Sequence, residues 1–317
     1  MYKSNLYNRK RALYTSADVT IVVPTIDGDN DFFEAAQTWL QNSPHEIIVV
    51  TTNPLLDRMR ILVNKLKDKR IRVRSISTAG KRPAMVAGLQ EVTTRIVVFV
   101  DDDVRWKTQT LEGLLAGLED PCVGGIQTCQ KVRPINENGS FTTWEVFGAA
   151  RLSRRSVYLA SSAFYIDGDF MNLSGRTMAF PTRLIKTPDF MHAFTEDFWR
   201  QKYHLKSGDD CFLTSWIVHR GWKTSYSTDR DCEIITTMKS DSQYLKQLVR
   251  WSRNTARYWW RDFWFAIHQN DPRHHKRVLL NAVTAYLSDL VTLLDLVFTC
   301  FVVLDTLVGL QAPEQAG

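Results

Sequence analysis

Four short runs rich in Val and Ile, separated by segments of helical periodicity, constrain what this chain can fold into. They are VTIVVPT (Val19–Thr25), EIIVVTT (Glu46–Thr52), IRVRSI (Ile71–Ile76) and IVVFV (Ile96–Val100). Runs this short and β-branched read as strands. Between them, Asp31–Asn42 places Phe32, Phe33, Ala36 and Leu40 on one face, and Leu55–Lys67 places Leu56, Met59, Leu62 and Leu66 on a stripe. Lys81–Val92 reads as a third helix. Strands alternating with helices at this spacing predict a mostly parallel sheet covered on both faces. Right-handed crossovers then gather the strand tips at one edge, where open α/β sheets bind ligands.

The fourth run ends in three consecutive acids, Asp101, Asp102 and Asp103. If the strand continues through them, Asp101 and Asp103 share a face and Asp102 points away. Two carboxylates on one side suit a hard cation such as Mg²⁺, which commonly shares its site with substrate phosphates. A solvated acidic turn is the competing reading.

The bulk composition narrows the class. In 317 residues, 44% hydrophobic and 23% charged content predicts a folded core rather than disorder. A net charge of +6 favours anionic partners without choosing among them. The five cysteines (Cys122, Cys129, Cys211, Cys232 and Cys300) contain no CxxC pair and make no disulfide framework. The basic start MYKSNLYNRKRALYTS lacks the apolar core of about 7–15 residues that a signal peptide needs.

Near the other end, Val278–Leu310 is almost free of Lys and Arg and follows the basic run Arg273–Arg277. A spanning helix needs about 20 apolar residues. Asp289, Asp295 and Asp305 interrupt the run, each costing about 2.5–3.5 kcal/mol at a helix centre. One or two membrane segments are expected, with a soluble amphipathic helix pair as the alternative.

Beyond Pro121 the pattern changes. VGGIQTCQKV is another strand, Phe141–Ala163 a helix carrying Arg151, Arg154 and Arg155, and Leu173–Phe180 a glycine-containing strand or loop. Gly208–Trp222 opens with Asp209 and Asp210 and runs into an apolar helix, which either acid could cap. Ser242–Gln269 reads as a long aromatic helix with Arg250, Arg253, Arg257 and Arg261 on one side. Its aromatics fit either a membrane interface or an ordinary buried face. No RRM, KH or OB pattern appears, so nucleic acid is not an expected partner.

Seven motifs stand in order: VVPT (Val22–Thr25), GKR (Gly80–Arg82), VDDD (Val100–Asp103), SGR (Ser174–Arg176), EDFW (Glu196–Trp199), GDDCFLT (Gly208–Thr214) and QLVRW (Gln247–Trp251). Together they make the chain similar to the catalytic part of a processive family 2 glycosyltransferase, the group of hyaluronan, cellulose and chitin synthases. It most resembles hyaluronan-synthase-like fungal polysaccharide synthases. The resemblance implies a GT-A-type nucleotide-sugar-binding α/β fold, followed by an interface helix and a short hydrophobic C-terminal helical segment.

The resemblance also implies roles. Asp101 and Asp103 would hold Mg²⁺ or Mn²⁺, with Asp101 approaching the nucleotide. Asp210 would be the general base, oriented by Asp209. Arg250 would hold the pyrophosphate, Gln247 would hydrogen-bond nearby, and Trp251 would stack on the acceptor sugar. Lys81 and Arg82 would sit near the nucleotide, Pro24 and Thr25 would cradle uracil, and Ser174 and Gly175 would line the substrate site.

The implied function is a membrane-associated inverting transferase. It would move sugar from a UDP-sugar to a growing cell-surface or cell-wall polysaccharide. The expected setting is the plasma membrane, with the catalytic domain cytoplasmic and membrane lipid, a second copy or a partner membrane subunit alongside. The alternatives are a non-processive transferase acting on a lipid-linked acceptor, and a catalytically silent partner subunit. The implied organisation is a basic lead (1–18), a catalytic domain (19–240), the QxxRW and interface helices (241–277), a hydrophobic segment (278–310) and a tail (311–317).

Three departures stand out. The second strand ends VVTTN, where the family has an acid facing the nucleotide. Thr51, Thr52 or Asn53 would substitute for it, or else Asp27 or Asp29. SGR replaces the commoner SGP, adding the cation Arg176. The family's membrane helices before the catalytic domain have no counterpart here, and at most two follow.

Overall fold

The computed structural model describes residues 12–26, 30–136, 138–165 and 172–268. The first half alternates as expected: β1 (Val19–Pro24), α1 (Asn30–Gln41), β2 (Glu46–Thr52), α2 (Leu56–Lys65), β3 (Ile71–Ile76), α3 (Lys81–Glu91) and β4 (Ile96–Val100). Then come β5 (Arg105–Trp106), α4 (Thr110–Gly117), β6 (Val123–Thr128), β7 (Gln130–Val132) and α5 (Thr143–Tyr165). They are followed by β8 (Thr177–Pro181), α6 (Thr182–Ile185), α7 (Pro188–Thr195), β9 (Phe198–Trp199), β10 (Tyr203–His204) and α8 (Asp209–Val218). The last are β11 (Lys223–Ser227), β12 (Ile234–Thr236) and α9 (Gln243–His268).

The main sheet runs β11-β6-β8-β4-β1-β2-β3. The β1, β2, β3 and β4 pairings are parallel, as is β6 with β11. β8 alone runs against its neighbours β4 and β6. The sheet is therefore mixed but mostly parallel.

Strand alternation explains why β4 is apolar throughout and β1 is apolar except for Thr20. Val19, Ile21 and Val23, with Ile96, Val98 and Val100, pack on one face with Phe32 and Trp39 of α1, Met59 of α2 and Leu114 of α4. Val22, Val97 and Phe99 face the other side, against Met85 and Leu89 of α3, Phe190 of α7 and Leu213 of α8. Strands buried on both faces are near-continuous apolar runs, and the one exception in β1 and β4, Thr20, accepts a hydrogen bond from the Thr94 hydroxyl at 2.8 Å.

The chain separates into two compact units, Met1–Arg261 and Asp262–Gly317. The sheet and everything described below belong to the first. Val278–Leu310, expected from sequence to be membrane-associated, lies outside the described residues, as do Asp27 and Asp29. Among the described residues no helix is long and apolar enough to cross a membrane.

Candidate active site

The site lies at the carboxyl end of β4. The strand stops at Val100, and the acids form a turn closed by the Val104 amide donating to the Asp101 carbonyl at 3.3 Å. The strand-alternation argument for Asp101 and Asp103 therefore fails, because neither lies on a strand.

The turn is held from several sides. The Asp101 amide donates to the Arg176 carbonyl at 3.1 Å. The Trp39 indole donates to the Val104 carbonyl at 2.8 Å, and the Trp106 amide donates to the Thr38 hydroxyl at 2.9 Å. The Thr25 hydroxyl donates to Asp102. Asp102, expected to point away, thus anchors the turn to the end of β1, and Thr25 spends its hydroxyl on it.

Lys81 opens α3 and joins two acidic loci. Its Nζ lies 2.7 Å from Asp101 Oδ1 and 2.9 Å from Asp209 Oδ2. Asp209 and Asp210 form the first turn of α8, entered through Gly208 at φ 79°. Glycine is required there on two counts. The left-handed backbone disfavours a side chain, and a Cβ would meet the Tyr258 ring at 3.1 Å and Asn254 at 3.3 Å. Gly175 approaches from the loop before β8. A Cβ on it would sit 3.3 Å from Lys81 Nζ and 3.4 Å from Asp209 Oδ2. Beside it, the buried Ser174 amide donates to Gln127.

Arg82, expected near the nucleotide, is a correction. Its side chain is 2% exposed. Nη1 donates to the Phe194 carbonyl and Asp197 Oδ2, both at 2.9 Å. Nη2 donates to the Ser207 and Gly208 carbonyls at 3.0 and 3.2 Å and to the Tyr258 hydroxyl at 2.8 Å. Asp197 also accepts from Tyr258 and, at 2.6 Å, from Arg261. Arg82 therefore ties α3 to the chain entering α8 and, through Tyr258, to α9. Arg261, expected on a basic outer stripe of α9, turns inward to join this network. EDFW was visible in the sequence, but nothing local showed that Asp197 would be buried with two arginines.

On the remaining side stand Arg176, Arg155 and the QLVRW residues. The Arg176 guanidinium lies 5.5 Å from the Trp251 ring and Arg151 lies 6.0 Å from it. Gln247 is half-buried, with its Oε1 buried and without a partner among the described residues. Arg250 is exposed. At the end of β2, Thr51 is buried, with a hydroxyl lacking a described partner, whereas Asn53 is exposed. Of the residues proposed to replace the expected acid, Thr51 is thus withdrawn from solvent.

The electrostatics distinguish the adjacent acids. Burial pushes the Asp209 carboxyl up, but the Lys81 ammonium overrides it and holds Asp209 below the usual carboxylate range. Burial and the Asp209 charge push Asp210 up, against Arg155 and Lys81. Burial would lower the Lys81 ammonium, yet Asp101 and Asp209 hold it above the ordinary lysine value. Burial and Asp101 push Asp103 up, against the pull of Arg176. A proton-accepting carboxylate thus stands beside one fixed in its charged form.

The acid turn fits a hard divalent cation. Its donors are carboxylate oxygens, and a bound cation would relieve the burial and repulsion that disfavour ionised Asp103. Lys81 engages only Oδ1 of Asp101. Among the described residues no group of three or more His, Cys, Asp or Glu side chains could hold a metal. The remaining ligands would come from water and substrate phosphates, the usual arrangement for Mg²⁺.

Comparison with known proteins agrees with this architecture. A type 2 glycosyltransferase of Zymoseptoria tritici is 36% identical over 264 residues, covering 79% of this chain and 55% of that protein. Hyaluronan synthase 3 of Homo sapiens is 27% identical over 203 residues, covering 60% of this chain and 33% of that protein. The chain spans about half the length of three curated type 2 glycosyltransferases that it matches.

Among solved structures, a mannosyltransferase from Pyrobaculum calidifontis, in complex with GDP-Man and Mn²⁺, superposes with a TM-score of 0.55. At 18% identity it covers 86% of this chain and 74% of its own, and the likeness is one of fold, the GT-A-type α/β architecture. The family profile described as glycosyltransferase like family 2 matches residues 17–254. On that match, this chain belongs to the glycosyltransferase-like family 2.

Proposed function

We propose that the chain is an inverting, membrane-associated glycosyltransferase that moves sugar from a UDP-sugar to a growing cell-surface or cell-wall polysaccharide. The observation carrying this reading is the Lys81 bridge. It joins the acid turn after β4 to the start of α8 and so assembles donor-side and acceptor-side carboxylates into one site.

In this reading Asp210 accepts the proton of the acceptor hydroxyl. The freed oxygen attacks the anomeric carbon from the face opposite the nucleotide. As that bond forms, the bond from the anomeric carbon to the diphosphate oxygen breaks, and the diphosphate leaves with the electron pair. In-line displacement inverts the configuration. Asp209 keeps its charge and makes Asp210 the stronger base. Arg250, exposed beside Trp251 on α9, is suited to diphosphate oxygens. Asp101 and Asp103 would hold Mg²⁺ or Mn²⁺, which would neutralise charge on the leaving diphosphate. The hydrophobic stretch 278–310 supports membrane association, and the basic run 273–277 before it supports a cytoplasmic catalytic domain.

Replacing Asp210 with Asn tests the assignment. Transfer from UDP-sugars, followed as released UDP and as product length, should fall by about 10²–10⁴-fold. Calorimetric UDP binding should persist. Unchanged transfer would remove Asp210 from the mechanism.

A further inference from the structure

Two arginines, Arg151 and Arg176, flank the Trp251 indole, Arg155 lies one turn along α5 from Arg151, and among the described residues no carboxylate pairs with any of the three. We infer that Arg151, Arg155 and Arg176 form an anion-recognition subsite around Trp251 that selects an acidic acceptor glycan. The inference rests on the reading of the chain as a glycan-extending transferase.

The geometry carries it in three steps. First, two guanidinium groups flank a single ring, Arg176 at 5.5 Å and Arg151 at 6.0 Å. Arg155 follows Arg151 by one helical turn on α5, where like charges four residues apart repel. Second, their hydrogen-bond partners among the described residues are neutral. Arg176 donates to the Thr236 hydroxyl at 3.1 Å, Gln130 Oε1 at 3.4 Å and Met238 Sδ at 3.6 Å. Arg155 donates to the Asn172 carbonyl at 2.7 Å. Burial holds both guanidinium groups below the usual arginine value, and a neighbouring cation adds to it in each case, Arg151 at Arg155 and Arg155 at Arg176. Asp101, Asp103 and Asp210 offset this charge at longer range without pairing with it. A carboxylate entering the cluster would gain charge-assisted hydrogen bonds from donors now spent on neutral groups.

Third, the cluster stands on the acceptor side. A base that deprotonates the acceptor must touch it, and Asp210 acts electrostatically on both Arg155 and Arg176. Lys81, by contrast, is committed to Asp101 and Asp209. The half-buried Trp251 indole offers a flat face to a sugar ring, so one subsite reads both the pyranose and its charge.

The test compares equilibrium binding of short oligogalacturonates and of maltooligosaccharides of equal length to the full chain. The acidic series should bind at least about tenfold more tightly at low salt, with the preference shrinking as salt rises. Arg151→Gln removes an exposed side chain that has no hydrogen bond among the described residues, so the fold should survive it. It should weaken acidic-glycan binding several-fold and leave maltooligosaccharide and UDP binding unchanged. Arg176→Gln should weaken acidic-glycan binding further.

Equal affinity for the two series overturns the subsite. So does a loss of UDP affinity in Arg176→Gln with acidic-glycan binding intact, which would assign the cluster to the donor diphosphate. Binding is read without turnover. An inactive chain that still prefers the acidic series would therefore refute the catalytic reading and leave this one standing.

Discussion

Arg82 offers the sharpest trial, because sequence and structure give it different work. Beside a nucleotide, its loss would abolish binding and spare the fold. As the structure has it, Arg82→Leu removes a cation at 2% exposure from a network that includes Asp197, Tyr258 and three backbone carbonyls. Asp197 would keep Arg261 and Tyr258 but lose its fully buried counter-ion. Breaking a buried ion pair from one side costs about 3–5 kcal/mol, because the other charge is left behind. The carbonyls of Ser207 and Gly208 lose donors as well, but those losses share one network and do not simply add.

At about 2–4 °C per kcal/mol for a unit of this size, thermal unfolding should fall by about 6–20 °C. Circular dichroism would follow the transition, and calorimetry well below it would measure UDP binding. Asp197→Asn in the Arg82→Leu background should recover part of the loss, since no unpaired carboxylate then remains. A variant that unfolds within about 2 °C of the parent but no longer binds UDP would return Arg82 to the nucleotide and refute the network argument.

Two further substitutions probe the Lys81 bridge. Lys81→Met should destabilise the chain most at neutral pH. In the parent, Asp209 is depressed, so its stabilising contribution is complete above the ordinary carboxylate pKa of about 4 and is lost as pH falls through its folded-state value. Lys81 is raised, so its contribution persists until pH climbs past its own elevated value. Denaturant titrations should therefore show a gap between parent and variant that is widest near pH 7 and closes below about pH 4; a gap independent of pH refutes the bridge. Gly175→Val should cut transfer more than stability, because its side chain would crowd Lys81 Nζ and Asp209 Oδ2, whose closest approaches to a Cβ are 3.3 and 3.4 Å. Equal losses in melting temperature and activity would mean only that the loop had been distorted.

Much of the sheet was legible because its strands are buried on both faces. β4 is built of Val, Ile and Phe alone, and α1 and α2 carry their stripes plainly. Legibility fails where elements are short or polar. β11 reads KTSYS, and β5 and β12, of two and three residues, give no periodicity to detect. α4 joins the core through Leu111, Leu114 and Leu115 but is a short helix without a marked cap.

At the site, residue types were readable and their directions were not. Lys81 and Arg82 are neighbours in sequence, yet consecutive helical residues diverge by about 100°. One side chain reaches the acid turn and the other runs beneath α8. The acid triplet suffered the same limit. A turn closed by one backbone hydrogen bond replaced the assumed strand, and Asp102 became an anchor instead of an outward-facing spare.

The division between Asp209 and Asp210 follows from where the cations stand. Two adjacent carboxylates, Asp209 buried and Asp210 half-buried, cannot both ionise cheaply, so something must decide which does. Lys81 decides it by geometry, lying 2.9 Å from Asp209 Oδ2 and acting on Asp210 more weakly. The Asp209 charge then raises Asp210, which strengthens it as a base. That polarity needs the first turn of α8 in register with α3, which supplies Lys81 to the site and Arg82 to its foundation. Arg82 fixes the register through the Ser207 and Gly208 carbonyls, and Gly208 permits it by letting Tyr258 of α9 come close. Two consecutive residues of GKR thus perform separable tasks, one setting the charge of the acidic pair and the other its position.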